Sequence, residues 1–87
     1  MIKTWEFELE DGKHTISLEH TWDSRRVIWL DKEMIIEETV YNNLGYEYSV
    51  DCGGHVCCVK SIAYMWSFRP RSYECRVDGN LVKERLT

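Results

Sequence analysis

Cysteine and histidine are concentrated in the segment Cys52-Gly53-Gly54-His55-Val56-Cys57-Cys58. Thiolate and imidazole groups at short spacing are ligands that zinc takes, and Cys75 could join them from a neighbouring strand. The spacing is poor for a closed site, because adjacent residues of a strand point to opposite faces. We therefore predict no bound metal or other cofactor, and cysteines that pack as small apolar residues of a core. A metal site built from Cys52, His55, Cys57 and Cys75 is kept as the least favoured alternative.

The other two histidines, His14 and His20, mark the ends of one alternating segment. Six residues apart on a strand they share a face, but about 20 Å separates them, so they cannot act on one atom. We expect each to hydrogen-bond a nearby backbone group or carboxylate, with pH sensing as the alternative. The acids Glu6, Glu8 and Glu10 follow one strand face, whereas glycoside hydrolysis needs carboxylates facing each other. No lowered thiol pKa is expected in this acidic, strand-bound context, so we predict that the protein is not an enzyme.

Aromatic side chains supply the remaining candidate chemistry. Trp5 and Trp29 fall inside alternating segments and are expected to fill a core, whereas Trp22 and Trp66 fall in loops. Trp66 lies in a segment that also holds two arginines, and Trp and Arg are enriched at interface hot spots. We predict a protein-interaction surface formed by Trp22, Met65, Trp66, Phe68, Arg69 and Arg71. The alternatives are that these rings cap an open end of the core, or that the loop tryptophans form a carbohydrate platform.

The elements that position these residues read as short strands. Trp5, Phe7 and Leu9 alternate with acids, and Asp11-Gly12, Gly53-Gly54 and Asp78-Gly79 are turn signals. No segment shows a sustained helical stripe, and the run from Met34 to Val40 is interpreted as a strand despite its helix formers. The pattern predicts one all-β domain spanning residues 1–87, an antiparallel β-sandwich or partly open barrel of about eight short strands.

Length and charge narrow the function classes. A chain of 87 residues holds one thin core and excludes an enzyme built from two lobes around a cleft. The net charge of −4 argues against binding to nucleic acid or to an anionic membrane. No stretch approaches the roughly 20 apolar residues of a membrane span, and the first residues already alternate and carry acid. We predict a cytoplasmic protein.

Four stretches of the chain resemble a known family. The opening Trp5-x-Phe7-x-Leu9-Glu10-Asp11-Gly12-x-His14, continuing to His20, is similar to the first motif of the Fas apoptotic inhibitory molecule family. Arg26-Val27-Ile28-Trp29-Leu30-Asp31 resembles the next strand and turn of that family. Gly54-His55-Val56-Cys57-Cys58-Val59-Lys60 is similar to a strand of its second domain, and Tyr73-x-Cys75-x-Val77-Asp78-Gly79 resembles its closing hairpin. The resemblance assigns structural roles to Trp5, Asp11, Gly12, His14, His20, Asp78 and Gly79. One departure is Lys32, which stands where the family has a turn glycine.

The resemblance implies a β-sandwich without enzymatic activity. The family is associated with restraint of death-receptor signalling and with protection against protein aggregation, and its familiar animal members carry two such domains in tandem. We therefore predict a protein-interaction domain that regulates apoptosis or protects against aggregation, with a protein partner or a second copy of itself. The alternatives are a homo-oligomeric structural subunit, or a metal- or carbohydrate-binding β-sandwich.

Overall fold

In a computed structural model, residues 2–40, 45–62 and 72–85 are described, and the regular elements among them are all β-strands. No helix of these residues offers the length and apolar character that crossing a bilayer requires. The predicted all-β fold of about eight strands is confirmed, including the strand predicted after Lys32. The strands are β1 (Ile2–Leu9), β2 (Gly12–His20), β3 (Arg25–Leu30), β4 (Glu33–Thr39), β5 (Tyr46–Cys52), β6 (His55–Ile62), β7 (Ser72–Val77) and β8 (Asn80–Val82).

The chain divides into two compact units, each built on one four-stranded antiparallel sheet. The first unit comprises Met1–Asn42 with Lys83–Thr87, and the second comprises Asn43–Val82. The strand orders are β1-β2-β3-β4 and β5-β6-β7-β8, so each sheet pairs strands that follow one another along the chain. Neither sheet closes into a barrel through the described strands.

Alternation separates the two faces of the first sheet. Trp5 lies opposite Ile16, and Leu18 lies opposite Ile28, so these four side chains share one face. All four are buried. Trp29 was expected in the same core, but it lies opposite Ser17 on the other face and is only half-buried. Trp29 therefore does not belong to the row of Trp5 and Ile16, although Val27, two residues before it on the same face, is fully buried.

The buried face of the second sheet is built around three cysteines. Cys52, Cys57 and Cys75 are buried together with Val59 and Val77. The register places Val59 opposite Cys75 and Cys57 opposite Val77, which puts small apolar side chains in adjacent rows. The cysteines therefore pack as core residues, as the strand pattern predicts.

The two edge strands of the first sheet, β1 and β4, differ in what lies beside them and in their regularity. Beside β1, the Arg85 N–H donates to the Thr4 carbonyl at 2.8 Å, and the Lys3 ammonium lies 3.1 Å from the Glu84 carboxylate. At the other end, the register of β4 shifts opposite Ile28, which leaves Ile35 as an extra residue. Such a bulge twists an edge strand away from pairing with another chain.

Two tight turns connect the last two strands of each sheet. Asp31 and Lys32 have φ of 50° and 71°, and Asp78 and Gly79 have φ of 51° and 83°. Two successive residues with positive φ form the turn whose twist suits a two-residue hairpin. Glycine adopts this conformation without a steric penalty, whereas a lysine does not. Lys32 is therefore a strained residue at a position that glycine suits.

Replacing Lys32 by glycine is expected to stabilise the protein. Relief of the left-handed backbone conformation is worth about 1–2 kcal/mol, and the added freedom of the unfolded chain offsets about 0.5–1 kcal/mol of that gain. Urea unfolding should show a net increase of about 0.5–1 kcal/mol for K32G. The matched variant G79A should lose about 1 kcal/mol, because alanine would then adopt φ 83°. An unchanged or lower stability of K32G would contradict this account of the turn.

Candidate functional site

His14 is held between two carboxylates at the end of the first sheet. Its Nδ1 lies 2.6 Å from Asp31 Oδ2, and its Nε2 lies 2.7 Å from Asp11 Oδ1. The second oxygen of Asp31 accepts the Thr15 N–H at 2.9 Å, while the Asp31 N–H donates to the Thr15 carbonyl. The ring stacks on Phe7 with centroids 5.9 Å apart. The contacts join the β1–β2 turn to the β3–β4 turn.

This geometry fixes the charge of His14. An ionised carboxylate only accepts hydrogen bonds, so both ring nitrogens must donate, and only the imidazolium does so. The hydrogen bonds to Asp11 and then to Asp31 raise the pKa of His14 above its ordinary value. Partial desolvation acts to raise the pKa of Asp31, but hydrogen bonds from His14 and Thr15 outweigh it and the pKa is lowered. With both nitrogens engaged, His14 cannot accept a proton from a substrate.

The second sheet carries a matching arrangement. His55 Nδ1 lies 2.5 Å from Asp78 Oδ2, while Asp78 Oδ1 accepts the Val56 N–H at 3.0 Å. The Asp78 N–H donates to the Val56 carbonyl at 2.8 Å. The hydrogen bond from His55, then that from Val56, lowers the pKa of Asp78. Each aspartate therefore binds a histidine side chain and the backbone of the residue that follows that histidine.

The residues of the alternative metal site, Cys52, His55, Cys57 and Cys75, share one face of the second sheet, and the absence of a bound metal stays a prediction. His55 turns its Nδ1 to Asp78. Burial first, then neighbouring thiols and Asp78, raises the pKa of Cys57 to about 11. Burial also raises the pKa of Cys75 to about 12. In these environments the metal-free thiols are neutral.

The outer face of the first sheet holds an open groove of about 390 Å³. A transverse row of Thr4, Ser17 and Trp29 forms its floor, and the Thr4 and Ser17 hydroxyls lie 3.0 Å apart. The other lining residues are Ile2, Thr15, Glu19, Lys32 and Arg85. An indole ring beside hydroxyl groups in a concave surface offers an apolar contact and hydrogen-bonding groups to a ligand. Sequence reasoning missed this groove, because its residues come from separate strands.

Trp22 adjoins this groove. A second depression of about 460 Å³ is lined by Ile2, Glu19, Thr21 and Trp22, so it shares two residues with the groove. The Trp22 side chain is 97% exposed. Trp22 is one of the six residues predicted to form an interaction surface. The other five, Met65, Trp66, Phe68, Arg69 and Arg71, lie outside the described residues.

Comparison with known proteins gives one match. The sequence model of the Fas apoptotic inhibitory molecule (FAIM1) family matches residues 1–85. No curated protein and no solved structure matches the chain. A match over nearly the whole chain decides the family. The chain belongs to the Fas apoptotic inhibitory molecule family.

The residues that resemble the family motif occupy structural positions in this Fas apoptotic inhibitory molecule domain. Trp5 is buried, and Asp11 accepts a hydrogen bond from His14. His20 is the last residue of β2 and lies opposite Arg26. Asp78 accepts a hydrogen bond from His55, and Gly12 and Gly79 have positive φ. Asp31 and His55 lie in stretches that resemble the family, but they were not among the residues assigned a structural role. A signal for both was available, because Asp31 and Asp78 each open a two-residue turn, and each accepts from a histidine across the sheet.

The charge of His14 should make the stability of the domain depend on pH. A histidine whose pKa is raised by folding contributes stability that is complete below its unfolded pKa of about 6.5, and that is lost as pH rises through the folded pKa. The advantage of the wild type over H14Q in urea unfolding should therefore be larger at pH 6 than at pH 9. In an NMR titration, D11N should lower the pKa of His14. An equal advantage at both pH values would contradict the doubly bonded imidazolium.

The thiols should differ in reactivity. Cys58 is only partly buried, with its Sγ 3.5 Å from Ser49 Oγ, whereas Cys57 and Cys75 are buried and have raised pKa values. Because the thiolate is the nucleophile, iodoacetamide at pH 8 should alkylate Cys58 well before Cys57 and Cys75. Peptide mass spectrometry measures the order, and urea-unfolded protein is the control in which all sites react. Early labelling of Cys57 or Cys75 in the folded protein would argue against their packing in a core.

Proposed function

We propose that this chain is a non-enzymatic protein-interaction domain that binds polypeptides on the outer face of its first sheet. The observation that carries the proposal is Trp22, whose exposed ring adjoins the groove floored by Trp29. A large aromatic side chain left in water beside a concave surface is a typical anchor for a partner. Membership of the Fas apoptotic inhibitory molecule family also supports an interaction role.

The chemistry of the titratable groups supports binding rather than catalysis. Both nitrogens of His14 are engaged by carboxylates, which removes the general base from that site. Burial and raised pKa values keep Cys57 and Cys75 as thiols, which are weak nucleophiles. The polar groups that line the groove, such as the hydroxyls of Thr4 and Ser17, suit hydrogen bonding to a bound polypeptide.

The face of the sheet is a better interaction surface than the edge at β4. The edge carries Glu33, Glu37 and Glu38 together with the bulge at Ile35. Charge and bulges are devices that keep edge strands from pairing with other chains. Addition of a partner strand at this edge is therefore disfavoured, whereas the groove offers an open concave surface.

The family association favours two roles, regulation of apoptosis and protection of other proteins from aggregation. Protection follows directly from the proposed surface, because aggregating chains expose the apolar segments that an indole-lined groove takes. A cytoplasmic location is part of the proposal, and the four free cysteines suit a reducing compartment.

The test is suppression of the aggregation of chemically reduced insulin, followed by light scattering. The wild type should suppress scattering in proportion to its concentration, and W22S should require at least about threefold more protein, since an anchor of this kind is worth about 1 kcal/mol or more. The matched control is L81S, because Leu81 is 63% exposed but lies on the second sheet. Equal suppression by W22S and the wild type would remove the proposed surface, whereas absence of suppression by the wild type would remove the role in protection against aggregation.

A further inference from the structure

The groove on the first sheet has opposite charges at its two ends. Along β2, Glu19, Ser17 and Thr15 share one face, and four residues of strand span about 13 Å. Glu19 lies at one end. At the Thr15 end, Lys32 follows Asp31, the residue whose N–H donates to the Thr15 carbonyl. The groove therefore runs from an acid to a base across a floor that contains Trp29.

Neither of these two charges is neutralised within the described part of the chain. Glu19 and Lys32 have no ion pair there, whereas neighbouring charges do. Arg85 adds a second cation at the basic end, although its guanidinium also lies 3.6 Å from the Glu6 carboxylate. Charges that line a groove without partners favour a ligand whose charges are arranged in the complementary order.

Lys32 gives a second reason to assign a ligand to this groove. It holds a φ of 71° in a turn where glycine would fit without strain. Its strain is local, because both sheets use the same two-residue turn and the second sheet has Gly79 there. A strained residue whose side chain lines an open groove is a marker of a functional position.

We propose that the groove binds an extended peptide segment with the pattern basic–x–apolar–x–acidic, in either chain direction. Alternate residues of an extended segment face the same way, and residues four apart are separated by about 13 Å. The basic side chain then lies at Glu19, the apolar one over Trp29 and Ser17, and the acidic one at Lys32 and Arg85. This inference rests on the proposed function and specifies the segment that the interaction surface takes.

The ligand is a segment of another protein rather than a second copy of this chain. Within the 87 residues no lysine or arginine stands four positions from an aspartate or glutamate. The two histidines that do, His14 after Glu10 and His55 after Asp51, have a glycine rather than an apolar side chain at the central position. The chain therefore does not carry the complementary pattern, and self-association through the groove would leave its charges unmatched.

The test is binding of blocked pentapeptides, measured by isothermal titration calorimetry. The matched peptide is acetyl-Lys-Ser-Leu-Ser-Glu-amide, and the controls replace one end to give two lysines or two glutamates. The matched peptide should bind more tightly than either control by about three- to fivefold, the range of an exposed charge pair. Equal affinity for all three peptides, or no binding of any, would overturn the inference.

Charge-swap variants separate recognition from folding, because Glu19 and Lys32 form no ion pair with residues 2–40, 45–62 or 72–85. E19K and K32E should each weaken binding of the matched peptide by about three- to tenfold. The double variant E19K/K32E should restore it to within about twofold, since the peptide then binds in the opposite direction. In addition, K32E should gain preference for the peptide with two lysines. Failure of the double variant to restore binding would contradict the assignment.

Two further readouts exclude a merely structural effect. K32G should bind the matched peptide more weakly while being more stable, which a loss of folding cannot produce. If W22S reduces the suppression of insulin aggregation but no pentapeptide binds, the proposed function stands and the peptide pattern is wrong. If the wild type binds the matched peptide but suppresses no aggregation, the pattern stands and protection against aggregation is wrong.

Discussion

The register between β2 and β3 is the constraint on which the first unit depends. A slip of one residue would exchange the two faces of a strand, burying Ser17 and exposing Ile16 and Leu18. Asp31 opposes such a slip, because it binds both the side chain of His14 and the backbone of Thr15. The same hydrogen bonds therefore support the buried face and keep Thr4, Ser17 and Trp29 in one row on the other face.

The two sheets solve this problem in the same way. In each, an aspartate opens the turn after the third strand, lies opposite a residue of the second strand, and binds the histidine before that residue. Thr15 and Asp31 in the first sheet correspond to Val56 and Asp78 in the second. In the first sheet Asp11 also binds His14, and Lys32 stands at the turn position that Gly79 occupies in the second sheet. Lys32 places its charge in the groove.

The two sheets also differ in the features that suit a binding surface. The second sheet buries thiols with raised pKa values and has the more regular turn, as a structural unit would. The first sheet combines a strained turn, an exposed Trp22 and an open groove, which are features of a binding surface. The proposed protein-interaction surface therefore lies on the first sheet.

The sequence by itself determined the strands, the turns and the buried rows, because alternation and turn residues are local properties of the chain. It placed Trp5 and the cysteines in a core for that reason, and it supported His14 as a residue that binds a nearby carboxylate. It failed for Trp29, where an apolar run on both sides of the pleat did not show which face is buried. Only the tertiary structure decided which carboxylates meet the histidines and which side chains line the groove. Those depend on the register between strands distant in sequence, and register is set by pairing across the sheet.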